Sequence, residues 1–222
     1  MNLKYFKRCF EIFIKLSIFK TFYINYNYFG IKGLWVLPIL VGKNTEFKLL
    51  KGKIIISDFQ TGVVHIGLND IGIFSKKSTV CTFQNSGTIE FKGKCRLGQG
   101  TKISNTSYIS FGNNVNITGN SAIISHKAVE IGDDTLISWG VLIMDTDFHK
   151  ILNSNGDVIN EPNVIKIGNH CWLCSDCKIL KGSVISDNSI VAANSIITEQ
   201  FDKQNVLLIN NKIVKENINW AF

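Results

Sequence analysis

Aliphatic residues return at every sixth position along much of this chain. The register is clearest from Ile167 onward. Ile167, Leu173, Ile179, Ile185, Val191 and Ile197 each open a hexad, and the fifth places hold Cys171, Cys177, Ser183, Ser189 and Ser195. Upstream it runs through Phe91, Leu97 and Ile103, then Phe111, Ile117 and Ile123, then Ile131, Ile137 and Ile143. Phe91, Phe111 and Ile131 stand 20 apart, whereas Ile167 and Ile185 stand 18 apart, so three hexads make one unit and the earlier units carry two additional residues. Side chains alternate between the two sides of a strand, and a unit of three short strands that stacks on its neighbours is one coil of a triangular parallel β-helix. Aliphatic residues then fill the interior, small residues fit the corners, and the paired additions mark a bulge kept at one corner.

The hexads stop after Ile143 and resume at Ile167, so residues 145–166 are expected to protrude as a loop. Asn153-Ser154-Asn155-Gly156-Asp157 is turn chemistry, and Pro162 does not suit a central strand. The expected organisation is an N-terminal segment over 1–53, partly helical, a β-helix over 54–204, and a tail over 205–222. Charge and aromatic content divide the chain in the same way. Residues 1–53 hold 10 basic and 2 acidic side chains and 12 of the 24 aromatics, while the remainder is nearly neutral.

With 222 residues, 45% hydrophobic and 18% charged, general disorder is excluded and a single large core is affordable. Lys4, Lys7, Arg8, Glu11, Lys15 and Lys20 break every apolar run of the head before it could span a bilayer, and they break any signal-peptide core, so a cytoplasmic location is expected. Leu3, Phe6, Phe10, Phe13 and Ser17 fall on one helical stripe flanked by basic residues, which suits either packing on the body or contact of residues 1–30 with an anionic membrane surface. The near-neutral body and the lack of a stacking motif argue against nucleic acid. Cys171, Cys174 and Cys177 have the look of a metal run, but the hexad register assigns them to small packing positions, so no metal is expected.

The protruding loop begins Asp145-Thr146-Asp147-Phe148-His149. If this stretch is extended, Asp145, Asp147 and His149 share a face, the arrangement in which a carboxylate orients an imidazole acting as general base near neutral pH. His126, at the fourth place of an ordinary hexad, is the rival base.

Two segments, Ile131 to His149 and Ile167 to Thr198, resemble the hexapeptide-repeat acyltransferases, which fold as left-handed parallel β-helices; the likeness spans about residues 54–220. Within that family the chain is most similar to O-acetyltransferases of surface-polysaccharide gene clusters. The resemblance implies an acetyl-CoA-dependent transfer to a sugar or glycan hydroxyl by direct attack in a ternary complex. It also implies a homotrimer with sites between subunits and a catalytic histidine at the position of His149. Trp172, Ser175, Ala192, Ala193 and Lys212 fall on the stretch expected to hold CoA, with Lys215 a second candidate for its phosphates. Trp139, Phe148 and His126 are expected near the acceptor. The family's usual Gly-Asn-Pro-Ala-Lys turn is replaced by Leu208-Ile209-Asn210-Asn211-Lys212. N-acylation of an amino-sugar nucleotide, a three-histidine metal enzyme and a non-catalytic scaffold are the competing readings.

Overall fold

The computed structural model describes residue 12, residues 14–69, Gly72 and residues 79–221. Expected stripe members Leu3, Phe6, Phe10 and Phe13 lie outside the described residues, and Ser17 is instead the N-cap of a helix. That helix, α1 (Ile18–Val36), is broken at Gly30, where φ is +59°.

Three parallel sheets form the faces of the solenoid. Face one stacks Ile39–Val41, Val64–Ile66, Cys95–Gln99, Val115–Gly119, Leu136–Ile137, Trp172–Leu173, Ile190–Val191 and Val206–Ile209, and an antiparallel strand, Lys212–Glu216, closes its edge. Face two runs from Thr45–Leu50 through Ala122–Ser125 and Leu142–Met144 to Ile196–Ile197, and face three from Lys53–Ile56 to Gln200–Phe201.

The hexad starts are the interior. Leu97, Ile117, Ile137, Leu173, Val191 and Leu208 form one vertical file by their pairing. Ile103, Ile123, Ile143, Ile179 and Ile197 form a second file. Phe91, Phe111, Ile131, Ile167, Ile185 and Phe201 form the third. All are buried, and Phe91 and Phe111 stack ring on ring at 5.2 Å. The β-branched side chains suit this pleated, two-sided environment. The paired additions fall between faces two and three, at residues 105–108 and 125–128, as the spacing predicts.

Two of the three corners carry a left-handed residue, which favours asparagine there. Asn114, Asp134, His170, Asn188 and Asn205 repeat at one corner with φ between +52° and +59°, and Gly100, Asn120, Gly140, Asp176 and Asn194 repeat at another with φ between +49° and +75°. Coil spacing also needs bare backbone: a Cβ on Gly132 would sit 2.6 Å from the backbone of Gly168 in the next coil. Buried Cys171 and Cys177 occupy successive corners, and burial pushes their thiols up to about 12 and about 11.

Two expected boundaries move. The solenoid begins at Ile39, not at residue 54, because Ile39–Val41 and Thr45–Leu50 already pair in parallel with the next coil. The hexad spacing conceals this, since the early coils advance by 25 and 31 residues on face one instead of 18 or 20. At the other end Val206–Ile209 continues face one, so the tail is partly solenoid, and the loop rejoins its coil at Ile165.

Candidate active site

Strand Leu142–Met144 ends at the corner between faces two and three, where Asp145 is fully buried. Its Oδ1 accepts the N–H of His126 at 2.7 Å, and its Oδ2 accepts the N–H of Lys127 at 2.8 Å and the hydroxyl of Ser125 at 3.0 Å. It continues an internal polar file: Asn85, Asn105 and Ser125 occupy the same place in the preceding coils, with Asn105 Nδ2 donating to Asn85 Oδ1 at 2.8 Å. Asp145 therefore ties down the widened corner of the coil before it.

The expected sharing of one face by Asp145, Asp147 and His149 does not occur, because the chain turns instead of extending. Phe148 has φ +61°, a conformation that bulky residues rarely adopt. Its N–H donates to Thr146 Oγ1 at 3.1 Å, and the N–H of His149 donates to the Asp147 carbonyl at 2.7 Å. This turn sends Asp147 away from the imidazole. The Asp147 carboxylate accepts from Lys181 Nζ at 2.5 Å and from Asn160 Nδ2 at 2.8 Å, and these bonds hold it below the usual carboxylate range. Among the described residues no carboxylate meets the His149 imidazole, which is exposed.

Asn160 fastens the loop to its own base. It donates to the His149 carbonyl at 2.8 Å and accepts the N–H of Ile151 at 2.7 Å, while Lys181 Nζ also reaches the Asn160 carbonyl at 3.0 Å. Beyond it Leu152 and Val158 bridge as a short antiparallel hairpin turned at Asn153–Asp157. Phe148, Ile151, Leu152 and Ile159 are exposed on this loop. The Phe148 ring meets the His126 imidazole edge-on at 5.1 Å. His126, Phe148 and His149 are thus gathered at one corner. Asn160 and Lys181 complete it without having been singled out from sequence: Lys181 fills an unremarkable third hexad place, and Asn160 lies in the irregular stretch.

Of the residues expected to hold a thioester donor, Ser175 and Ala193 stand at the next corner, between faces one and two. Trp139, Ser175 and Ala193 follow the interior residues Ile137, Leu173 and Val191 by two places each, and Cys174 and Ala192 line the adjoining file. The file ends at the hairpin turn Asn210-Asn211, whose side chains accept the N–H groups of Ile196 and Thr198, and the exposed Lys212 follows. Trp139 therefore stands with the expected donor residues and apart from His126 and Phe148. Trp139 is exposed at this corner. Trp172 lies on face one, donating to Ser138 Oγ at 3.1 Å, with Trp220 tilted against it at 5.8 Å. Trp220 also stacks on His170 at 4.6 Å and donates to its carbonyl, which pins the tail to face one. The two corners are separated by the width of face two, six residues from Trp139 to Asp145, about 20 Å of extended chain at most.

No protein-family model matches the chain. It is 28% identical over 150 residues to a putative lipopolysaccharide biosynthesis O-acetyl transferase of Escherichia coli, covering 61% of this chain and 76% of the relative. It is 33% identical over 111 residues to the galactoside O-acetyltransferase of the same organism, covering 46% of this chain and 54% of that one. Among solved structures, the polySia-specific acetyltransferase NeuO superposes with a TM-score of 0.57 at 19% identity, over 83% of this chain and 89% of the other. In sequence the chain is similar to these O-acetyltransferases, and it shares the parallel β-helix fold of the NeuO structure.

Proposed function

We propose that the protein transfers an acetyl group from acetyl-CoA to a hydroxyl of a sugar or surface glycan in a cytoplasmic homotrimer. The observation that carries this reading is the fastened turn at Phe148–His149, which thrusts an exposed imidazole out of a rigid coil beside an aromatic platform. Catalytic groups are commonly presented in this way, on loops positioned by a stiff scaffold. The similarity to the lipopolysaccharide and galactoside O-acetyltransferases supports the choice of an alcohol acceptor.

His149 removes the hydroxyl proton as the oxygen attacks the thioester carbonyl; the C–O bond forms, the C–S bond breaks, and the thiolate of CoA leaves and takes up the proton. General-base help of this kind contributes on the order of 10²–10⁴ in rate. In place of an orienting carboxylate of its own chain, the imidazole has a backbone held by Asn160 and Asp147. Asp147 and Lys181 act as positioning residues, and Asp145 holds the corner on which they stand. Phe148 and His126 offer a face to the acceptor.

The donor residues stand one corner away from His149 in the same chain. In the proposed trimer the loop of one subunit meets the Trp139, Ser175 and Ala193 corner of the next, bringing base and thioester together. The test is donor-dependent acetylation of a panel of glycosides. His149→Ala is expected to lose activity by two to four orders of magnitude while donor binding persists; activity within tenfold of the parent would refute the assignment.

A further inference from the structure

Helix α1 packs on the first strand of the solenoid through a mixed face of Thr21, Ile24, Asn25 and Gly33, with Tyr28 and Phe29 against the core. Its buried residues include Thr21 and Asn25. Thr21 Oγ1 accepts the N–H of Val41 at 3.1 Å. Asn25 accepts the N–H of Ile39 at 3.1 Å and donates to its carbonyl at 2.7 Å, so the helix satisfies the exposed edge of the first strand with polar side chains. Its apolar stripe consequently faces outward. Ile18, Phe19, Phe22, Tyr23 and Tyr26 are spaced as one helical face, and all are exposed. After the Gly30 break, Ile31 is 68% and Trp35 85% exposed. Side chains of this size are seldom left to water in one contiguous band.

The charge around the band is predominantly positive. Residues 12–45 contain Lys15, Lys20, Lys32 and Lys43 and neither Asp nor Glu. The nearest following carboxylate, Glu46, is held by Lys48 at 2.6 Å. A second copy of this chain laid on the same face would oppose lysine to lysine, whereas an anionic lipid surface complements it. Tyrosine and tryptophan also suit the boundary between headgroups and acyl chains, because each has an apolar body and a polar tip. No helix among the described residues is long and apolar enough to cross a membrane.

We propose that the outward face of α1 docks the enzyme on an anionic phospholipid surface, with Phe19, Phe22, Tyr26 and Trp35 in the interface and the lysines against the headgroups. This inference stands independently of the acetyl-transfer reading. It would hold a catalytic solenoid where membrane-borne glycans are within reach.

The test is co-sedimentation of the full chain with vesicles of phosphatidylglycerol and phosphatidylcholine and with vesicles of phosphatidylcholine alone, at low and high salt. The expected result is binding to the anionic vesicles, weakened about tenfold or more by high salt or by their replacement with neutral ones. Phe19→Ser/Tyr26→Ser/Trp35→Ser, all at exposed positions, is expected to retain the circular dichroism and the native oligomeric mass of the parent while losing at least about tenfold in vesicle affinity. In the parent, Trp35 emission is expected to shift to the blue on binding, a change absent in Trp35→Ser. Failure of the parent to sediment with anionic vesicles would overturn the proposal. So would a triple variant that binds as well as the parent, or one whose native oligomeric mass falls, since the face would then be an interface between copies.

Discussion

Replacement of Asp145 by alanine separates a structural carboxylate from a catalytic one. Its carboxylate takes three hydrogen bonds, from Ser125 Oγ and from the N–H groups of His126 and Lys127, at 2.7–3.0 Å, and it is fully buried. Each buried donor left without a partner costs about 1–3 kcal/mol. Ser125 keeps a second acceptor in the Tyr108 carbonyl at 2.8 Å, so its share is small and the two backbone groups dominate. With partial entry of water, Asp145→Ala should cost about 3–4 kcal/mol, which for a chain of this size lowers the thermal midpoint by roughly 6–16 °C. Asp145→Asn keeps one oxygen for His126 and lets Ser125 accept from the new amide, leaving Lys127 as the main loss, about 1–2 kcal/mol. Thermal denaturation followed by circular dichroism gives the ordering, and acetyl transfer measured well below both midpoints gives the role. Parent-like turnover and pH profile in Asp145→Asn are expected at such temperatures. A loss of about 10³ in rate with an unchanged midpoint would refute the structural role and restore Asp145 as a partner of the base.

Lys181→Met releases Asp147 and one anchor of the loop; it is expected to raise the acceptor KM several-fold with less than 1 kcal/mol lost in stability, since an exposed ion pair contributes little, and steady-state kinetics with parallel denaturation checks both. Because the folded Asp147 carboxyl titrates below its unfolded value, its link to Lys181 stabilises the fold above the unfolded pKa near 4 and is lost as pH falls through the lower folded value; a pH series of midpoints should show this small decrement absent in Lys181→Met. Trp220→Ala removes the ring that stacks on His170 and covers Trp172, and should cost about 3 kcal/mol or more and quicken proteolysis of the tail. Alkylation of the native protein near pH 8 should modify Cys174 well before Cys171 or Cys177, whose thiols are raised to about 12 and about 11 by burial; equal rates at all three would contradict their corner packing.

The solenoid was legible because a strict period leaves little freedom: once Ile117, Ile137 and Leu173 are assigned to one interior file, their pairing follows. The first coils were not, since Ile39–Val41 and Val64–Ile66 pair across irregular insertions that erase the period. At the candidate site, the sequence located the loop that carries His149, but its expectation that Asp145 and Asp147 share a face with the imidazole fails. Alternation holds only while the chain is extended, and the left-handed Phe148 ends the extension between Asp147 and His149. Asp145 fell on the wrong side of the same assumption, because its place in the internal Asn85–Asn105–Ser125 file depends on coil stacking. Trp139 was expected beside Phe148 and His126, yet two residues past Ile137 it stands at the corner between faces one and two, a face's width from them.

The most direct test of the reading is acetyl transfer from acetyl-CoA to a glycan acceptor, followed by mass spectrometry, with the parent and His149→Ala assayed beside calorimetric titration of both with CoA. Saturable CoA binding by both proteins and acceptor acetylation by the parent, reduced at least about 10² in the variant, is the expected result. Transfer by His149→Ala within tenfold of the parent, or failure of the parent to bind CoA at millimolar concentration, would contradict it.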